Sequence, residues 1–226
     1  MKIYGLQKTS LLDYPEHISA IVFTGGCNFN CPFCQNSGLL HPDRSALLDT
    51  EEIFSFLKKR AGILEGVVIT GGEPTLSPDL PDFICRIREL GLKVKLDTNG
   101  ARPESIQYLL EHQLLDYIAM DVKASPEHYS HVSGVNVSVE RIRQSIQLIM
   151  DSQVPCEFRT TVVQELHELP YFHQLGRLIS GARLCYLQTF HDGSTVNVQG
   201  LHPFSEKDMK KAAEILQLYV HEVKIR

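Results

Sequence analysis

Residues 18–34 read ISAIVFTGGCNFNCPFC: a short β-branched run, Ile18 to Thr24, that breaks at Gly25-Gly26 into a loop carrying three cysteines. An apolar run this short, ended by paired glycines, predicts a buried strand rather than a helix. The same pattern recurs along the chain. Val67 to Thr70, Leu92 to Asp97, Tyr117 to Lys123, Cys156 to Val163 and Arg183 to Phe190 are comparable runs, giving six candidates for a parallel sheet. Stretches of helical period separate them. Ser77-Pro78, Arg102-Pro103 and Leu169-Pro170 offer proline to a first helical turn, and Ser138 precedes a face of Ile142, Ile146 and Ile149. Ser205 and Asp208 have capping-box spacing and open a last helix to about Tyr219, leaving a short tail, VHEVKIR. Alternating βα units predict an α/β fold, and six of them in this length predict a partial (β/α)6 barrel: a curved parallel sheet with outer helices, in one domain spanning 1–226.

Composition narrows the function. The 226 residues are 43% hydrophobic and 22% charged, and Lys+Arg 22 against Asp+Glu 27 gives a net charge of −5. That balance offers no general attraction to nucleic acid or to an anionic membrane surface. MKIYGLQKTS lacks the build of a secretion signal, and no stretch reaches the ~18 apolar residues of a spanning helix, so a cytoplasmic location is expected. Six cysteines, unevenly placed, do not make a disulfide framework; a reducing compartment leaves them as thiols. Cys85, Cys156 and Cys185 stand singly in apolar settings and read as small buried hydrophobes.

In a sheet of βα units, functional groups gather at the C-terminal strand ends. Those ends read GGCNFNCPFC, GGEP, DTNG, DVK, RTT and TFH. Cys27, Cys31 and Cys34 form C-x3-C-x2-C in a loop with Gly25, Gly26 and Pro32. Thiolates are soft ligands for zinc or iron–sulfur clusters, and a closed zinc site wants four protein ligands where only three are local. A [4Fe–4S] cluster held by three cysteines leaves one iron open to an exogenous ligand. The alternatives are a zinc knot completed by His41 or Cys85 and, less favoured by the spacing, a redox dithiol.

C27-x3-C31-x2-C34 after one strand, with G71-G72-E73-P74 after the next, resembles the radical S-adenosylmethionine (SAM) superfamily. The resemblance implies that the open iron chelates SAM and that reductive cleavage yields a 5′-deoxyadenosyl radical which abstracts hydrogen. Within that superfamily, K8-T9-S10-L11-L12-D13-Y14-P15, D97-T98-N99-G100 and M120-D121-V122-K123 look like glycyl radical enzyme activases, above all those serving anaerobic ribonucleoside-triphosphate reductase. That likeness implies an oxidoreductase whose partners are a glycyl radical enzyme and an electron donor such as flavodoxin or ferredoxin. The competing readings are a radical SAM enzyme acting on a small molecule or nucleoside, as in deazapurine biosynthesis, and a non-catalytic zinc-binding module.

The resemblance also assigns roles. Phe33 matches an aromatic position beside the adenine, with ordinary loop packing as the alternative. Gly71 and Gly72 let backbone carbonyls meet the SAM ammonium, and Glu73 holds the turn or accepts a hydrogen bond. Asp97, Thr98 and Asn99, with Met120 and Asp121, surround the SAM carboxylate or a monovalent cation beside it; otherwise DTNG is a turn with Gly100 in the αL conformation. Lys123 neutralises a carboxylate, and Arg159, inside an apolar run, requires a buried partner. His191 matches a histidine near the nucleoside, or is structural. Lys58-Lys59-Arg60 and 207–211 read as solvated helix faces.

Overall fold

The computed structural model describes residues 1–226. Its eight strands are hydrogen-bonded in chain order, β1 Ile3–Ser10, β2 Ser19–Thr24, β3 Gly66–Gly71, β4 Lys93–Thr98, β5 Tyr117–Asp121, β6 Cys156–Val162, β7 Leu184–Thr189 and β8 Glu222–Ile225. The helices between them are α1 Thr50–Arg60, α2 Leu80–Glu89, α3 Pro103–Glu111, α4 Tyr129–Ser133, α5 Val139–Asp151, α6 Tyr171–Leu178 and α7 Glu206–Leu216. The fold class is α/β with the strand and helix order of a partial (β/α)6 barrel, as the alternating runs predict.

The chain falls into two compact units. The first comprises Met1–Asn28, Gly38–Thr98 and Glu104–Ile118. Within it β2 pairs in parallel with β3 and β3 with β4, while β1 runs antiparallel to β2. Strand alternation sorts the core into two faces. Ile21 and Val68 join the ring of Tyr14 on one face, with Phe23 and Tyr117 packed alongside. Ala20, Val22, Val67, Ile69, Val94 and Leu96 are buried on the other. Helix α1 supplies buried Ile53, Phe54 and Leu57. Its Asp49 cap accepts from the Glu51 amide at 2.8 Å. Glu51 and Glu52 open it and Lys58, Lys59 and Arg60 close it, matching the helix dipole at both ends.

The second unit comprises Phe29–Ser37, Asn99–Pro103 and Ala119–Arg226. Here β6, β7 and β8 pair in parallel. Helix α5 follows Ser138 and buries Ile142, Ile146 and Ile149, the face expected from their spacing. Helix α7 begins after Ser205, whose hydroxyl accepts from the Asp208 amide at 3.1 Å, completing the predicted cap.

Three local expectations are corrected. Within the tail 220–226, Glu222–Ile225 form a strand, β8, and Ile3–Ser10 form β1; both carry too many charged or exposed positions to read as buried runs. Helix α2 starts at Leu80 rather than at Pro78, because Glu73 first caps a short 3-10 turn, Pro74–Leu76, and Asp79 flanks the helix proper. Cys85 is exposed and Cys156 half-buried, so of the three single cysteines Cys185 alone is a buried hydrophobe.

Candidate active site

In the first unit, the turn after β3 is knit to the loop after β2. Gly72 donates its amide to the Thr24 carbonyl at 2.8 Å, and Glu73 donates to the Gly26 carbonyl at 2.8 Å. A Cβ on Gly72 would stand 2.0 Å from the Gly26 oxygen, and one on Gly71, at φ +119°, would stand 2.4 Å from the Thr24 backbone. Both glycines are therefore required by the approach of two backbones, one residue before Cys27. Cys27 is half-buried and forms no disulfide. The Glu73 carboxylate, buried, accepts from the Thr75 amide at 3.1 Å, from the Thr75 hydroxyl, and from the Thr98 hydroxyl at 2.7 Å. Glu73 thus caps the short turn that follows it and ties it to the end of β4.

Asp97 and Lys95 share a face of β4, two residues apart, with Oδ1 and Nζ 3.6 Å from each other. Lys95 is 3% exposed, donates to the Asp13 carbonyl and lies 5.3 Å from the Tyr117 ring centroid. Sequence reasoning missed this lysine, since a charged residue in a β run reads as solvent-facing.

In the second unit, Cys31 is buried and Cys34 half-buried, and both thiols are free. The Cys34 amide donates to the Cys31 carbonyl at 3.1 Å, making a tight turn. Burial pushes the Cys31 thiol up to about 11; the Lys123 cation acts against this, and Cys34 and Asp121 add to it. Asn30 donates to the Ser133 carbonyl at 2.9 Å. Gly134, at φ +71°, lets that contact form, because a Cβ there would stand 2.1 Å from the Asn30 oxygen.

Asp121, Lys123 and Arg159 come together. Arg159 Nε donates to Asp121 Oδ1 at 2.7 Å and Lys123 Nζ to Asp121 Oδ2 at 2.9 Å. Burial by itself raises a carboxyl, but the Arg159 and Lys123 cations hold Asp121 well below the usual carboxylate range. The Asp121 anion in turn raises the Lys123 ammonium despite its burial. The partner that Arg159 requires is thus the chain's own carboxylate. Asp121 thus accepts charge-assisted hydrogen bonds from two cations, one on each oxygen. Lys123 Nζ also stands 5.8 Å from the centroid of Phe33, itself buried, within cation–π reach.

Two further residues fix Lys123 by its backbone. Its amide donates to the Tyr129 hydroxyl at 3.3 Å, and its carbonyl accepts from His167 Nε2 at 2.9 Å. His167 Nδ1 stands 3.1 Å from the Val163 amide and 3.2 Å from the Val163 carbonyl; a neutral ring protonated at Nε2 accepts from the amide and donates to the Lys123 carbonyl. Burial lowers its affinity for a second proton.

Asn99 behaves as the turn reading predicts. Its Oδ1 accepts from the Ala101 amide at 3.0 Å, Gly100 takes φ +74°, and Ser145 donates to the Gly100 carbonyl at 2.6 Å. Buried Met120 packs against Gly100, whose Cβ would stand 2.0 Å from the methionine methyl. His191 is exposed, and its carbonyl accepts from Gln35 Nε2 at 3.3 Å.

The chain is similar to known proteins along most of its length. The model of the Radical SAM superfamily matches residues 21–168. A protein of Methanocaldococcus jannaschii that carries the name of a glycyl-radical enzyme activating enzyme is 31% identical over 231 aligned positions, covering 99% of this chain and 95% of that protein. A protein of Sulfolobus acidocaldarius named as a GTP 3′,8-cyclase is 36% identical, but over 52% of this chain and 38% of its own length. Among solved structures, a domain of the pyruvate-formate lyase-activating enzyme of Bacteroides vulgatus superposes with TM-score 0.59 at 21% identity, covering 71% of this chain and 98% of that one. SuiB of Streptococcus suis superposes with TM-score 0.69 at 14% identity, covering 91% and 51%. These two share the fold. Taken with the family match across the cysteine loop and the GGEP turn, they leave one assignment: the chain belongs to the radical SAM superfamily and is a radical SAM enzyme.

Proposed function

We propose that this enzyme is a glycyl radical enzyme activase, acting on anaerobic ribonucleoside-triphosphate reductase. The observation that carries the reading is the likeness to the M. jannaschii protein, which extends over 99% of this chain and 95% of that one. The cyclase matches cover 38% to 48% of the first two cyclases' lengths, so they bear on the shared superfamily part.

The residues suit the cofactors of the superfamily. Cys27, Cys31 and Cys34, none of them in a disulfide, carry the soft sulfur donors of an iron–sulfur cluster. When bound, the [4Fe–4S] cluster supplies the electron for SAM cleavage, and the resulting radical supplies hydrogen abstraction from a backbone glycine of the partner.

The chain's own groups bind and orient. Lys123 and Arg159, both held by Asp121, offer their cationic groups to the SAM carboxylate. Phe33 presents an aromatic face for the adenine, and His191 a ring for the nucleoside. Gly71 and Gly72 keep the turn after β3 free of side chains, with Glu73 and Thr98 fixing its shape. Asp97, Thr98 and Asn99 supply polar oxygens for the neighbourhood of the SAM carboxylate, with a monovalent cation beside it as a further constituent. None of these side chains has to act as a general base. The whole chain, 1–226, serves as one functional domain in the cytoplasm, drawing electrons from a flavodoxin or ferredoxin. No helix is long and apolar enough to cross a membrane.

The test is anaerobic reconstitution with iron and sulfide, reduction, and addition of SAM together with the glycyl radical reductase of the same organism. A glycyl doublet in the EPR spectrum with formation of 5′-deoxyadenosine is the expected result. Deoxyadenosine without the doublet would move the substrate to a small molecule or nucleoside. A colourless zinc protein without acid-labile sulfide would defeat both.

A further inference from the structure

The segment 191–200, HDGSTVNVQG, is a surface loop between β7 and α7, and most of it is exposed. A loop of this kind is ordinarily mobile. This one closes on itself. Asp192 Oδ1 accepts from the Gly193 amide at 2.9 Å and Oδ2 from the Gly200 amide at 3.2 Å, so one carboxylate joins both ends. Gly200 permits the closure at φ +81°, and Val196 donates to the Gly193 carbonyl at 3.0 Å.

The closed loop lies against the cysteine segment. The Asn197 amide donates to the Cys34 carbonyl at 3.0 Å, and its Nδ2 donates to the Cys31 carbonyl at 3.1 Å and to Asn30 Oδ1 at 3.0 Å. Val198 donates to the Pro32 carbonyl at 2.8 Å, and Ser37 Oγ to the Thr195 carbonyl at 2.6 Å. One asparagine thus engages the backbone of both cysteines.

We infer that Asn197 is a positioning residue for the cluster, and that loop 192–200, latched by Asp192, is a brace that holds Cys31 and Cys34 in place before iron arrives. The inference rests on these two cysteines being iron ligands. Its physical content is preorganisation: the entropy of ordering the cysteine segment is met in the fold rather than at metal binding, and outer groups that fix a ligand's backbone slow its release.

The experiment has two arms. In metal-free protein, iodoacetamide labelling followed by peptide mapping reads Cys31, with buried Cys185 on β7 reporting global unfolding. Asn197→Ala should label Cys31 about tenfold faster with Cys185 unchanged, the size expected for loss of one to two hydrogen bonds. Asn197→Asp should match it, because a carboxylate cannot donate to the Cys31 carbonyl. Asp192→Ala, remote from the cysteines, should give a smaller increase, and carries the test if Asn197→Ala also exposes Cys185. In iron-loaded protein, bathophenanthroline should extract iron about tenfold faster from the Asn197 variants. Labelling and extraction within twofold of the native protein in every folded variant would overturn the brace. Failure of the native protein to retain iron would instead overturn the ligand assignment, leaving the labelling arm to judge the brace.

Discussion

Thr98, the last residue of β4, donates its hydroxyl proton to Glu73 Oε1 at 2.7 Å, so the turn after β3 is shaped by the neighbouring strand end. The same oxygen takes the Thr75 amide. Glu73→Ala would leave these donors without their acceptor in a buried setting, at a cost of about 3 kcal/mol. Glu73→Gln keeps an acceptor oxygen and should cost less than half as much. Denaturant melts of both variants, with SAM affinity measured alongside, should give that order; equal losses would show that charge rather than acceptance matters.

Removing Arg159 leaves Asp121 with the Lys123 contact alone of these two and, on the proposed reading, takes one cation from the SAM carboxylate. Arg159→Met should raise the SAM dissociation constant about tenfold or more, whereas Arg159→Lys should recover part of the loss but not the guanidinium geometry. Equilibrium binding to iron-loaded protein checks both. The pair also sets an acid limit. Because the native Asp121 carboxyl lies below its unfolded value, its contribution is complete above about pH 4 and is lost as the pH falls below that toward the depressed native value. Asp121→Asn should flatten stability against pH in that acid range alone.

His167 makes the opposite demand on its proton. Its native affinity for a second proton is lowered by burial, so its stabilising contribution is whole above about pH 6.5 and declines as the solution is acidified through and below that value. His167→Leu should lose the bond to the Lys123 carbonyl, cost about 2 kcal/mol at neutral pH, and shrink the difference in stability between about pH 7.5 and pH 5.5. It should also raise the KM for SAM with less effect on kcat, since Lys123 shifts rather than disappears. An unchanged KM would separate His167 from the site.

Gly72→Ala would drive a Cβ into the Gly26 carbonyl, a backbone atom with no rotamer to escape by. A loss of about 2 kcal/mol or more is expected, together with lower iron content, because Cys27 follows the displaced carbonyl directly. Gly91→Ala is a useful comparison: the added Cβ meets nothing within 4 Å, so the cost is the strain of φ +76° and iron content should be unaffected.

The strands that hold the cysteines and the GGEP turn were legible because they are short apolar runs ended by glycine. The edges were not: β1 exposes Gln7, Lys8 and Thr9, and β8 is four residues with three exposed, so neither carries the apolar signal of a buried strand. Local motifs named Asp121, Lys123 and Arg159, yet which carboxylate Arg159 meets is a matter of strand adjacency, at a sequence separation of 38. Lys95, His167, Tyr129 and Asn197 had no signal of their own. Each acts through a backbone group or a partner far along the chain; Asn197 is 166 residues from Cys31. A lone asparagine in a polar loop looks the same whether or not it grips something.

The last strand bears on how another polypeptide can dock. On β8, Glu222 and Lys224 pair at 2.9 Å on one side of the strand, and Arg226 follows in the same alternation, its guanidinium 4.1 Å from the Tyr186 ring centroid. A short rim of alternating charge is hostile to an incoming polypeptide seeking to extend the ladder. Recognition by sheet continuation is therefore discouraged at this border, and an approaching polypeptide is steered to side chains and loops, where identity is read from chemistry rather than from the backbone that every protein has in common.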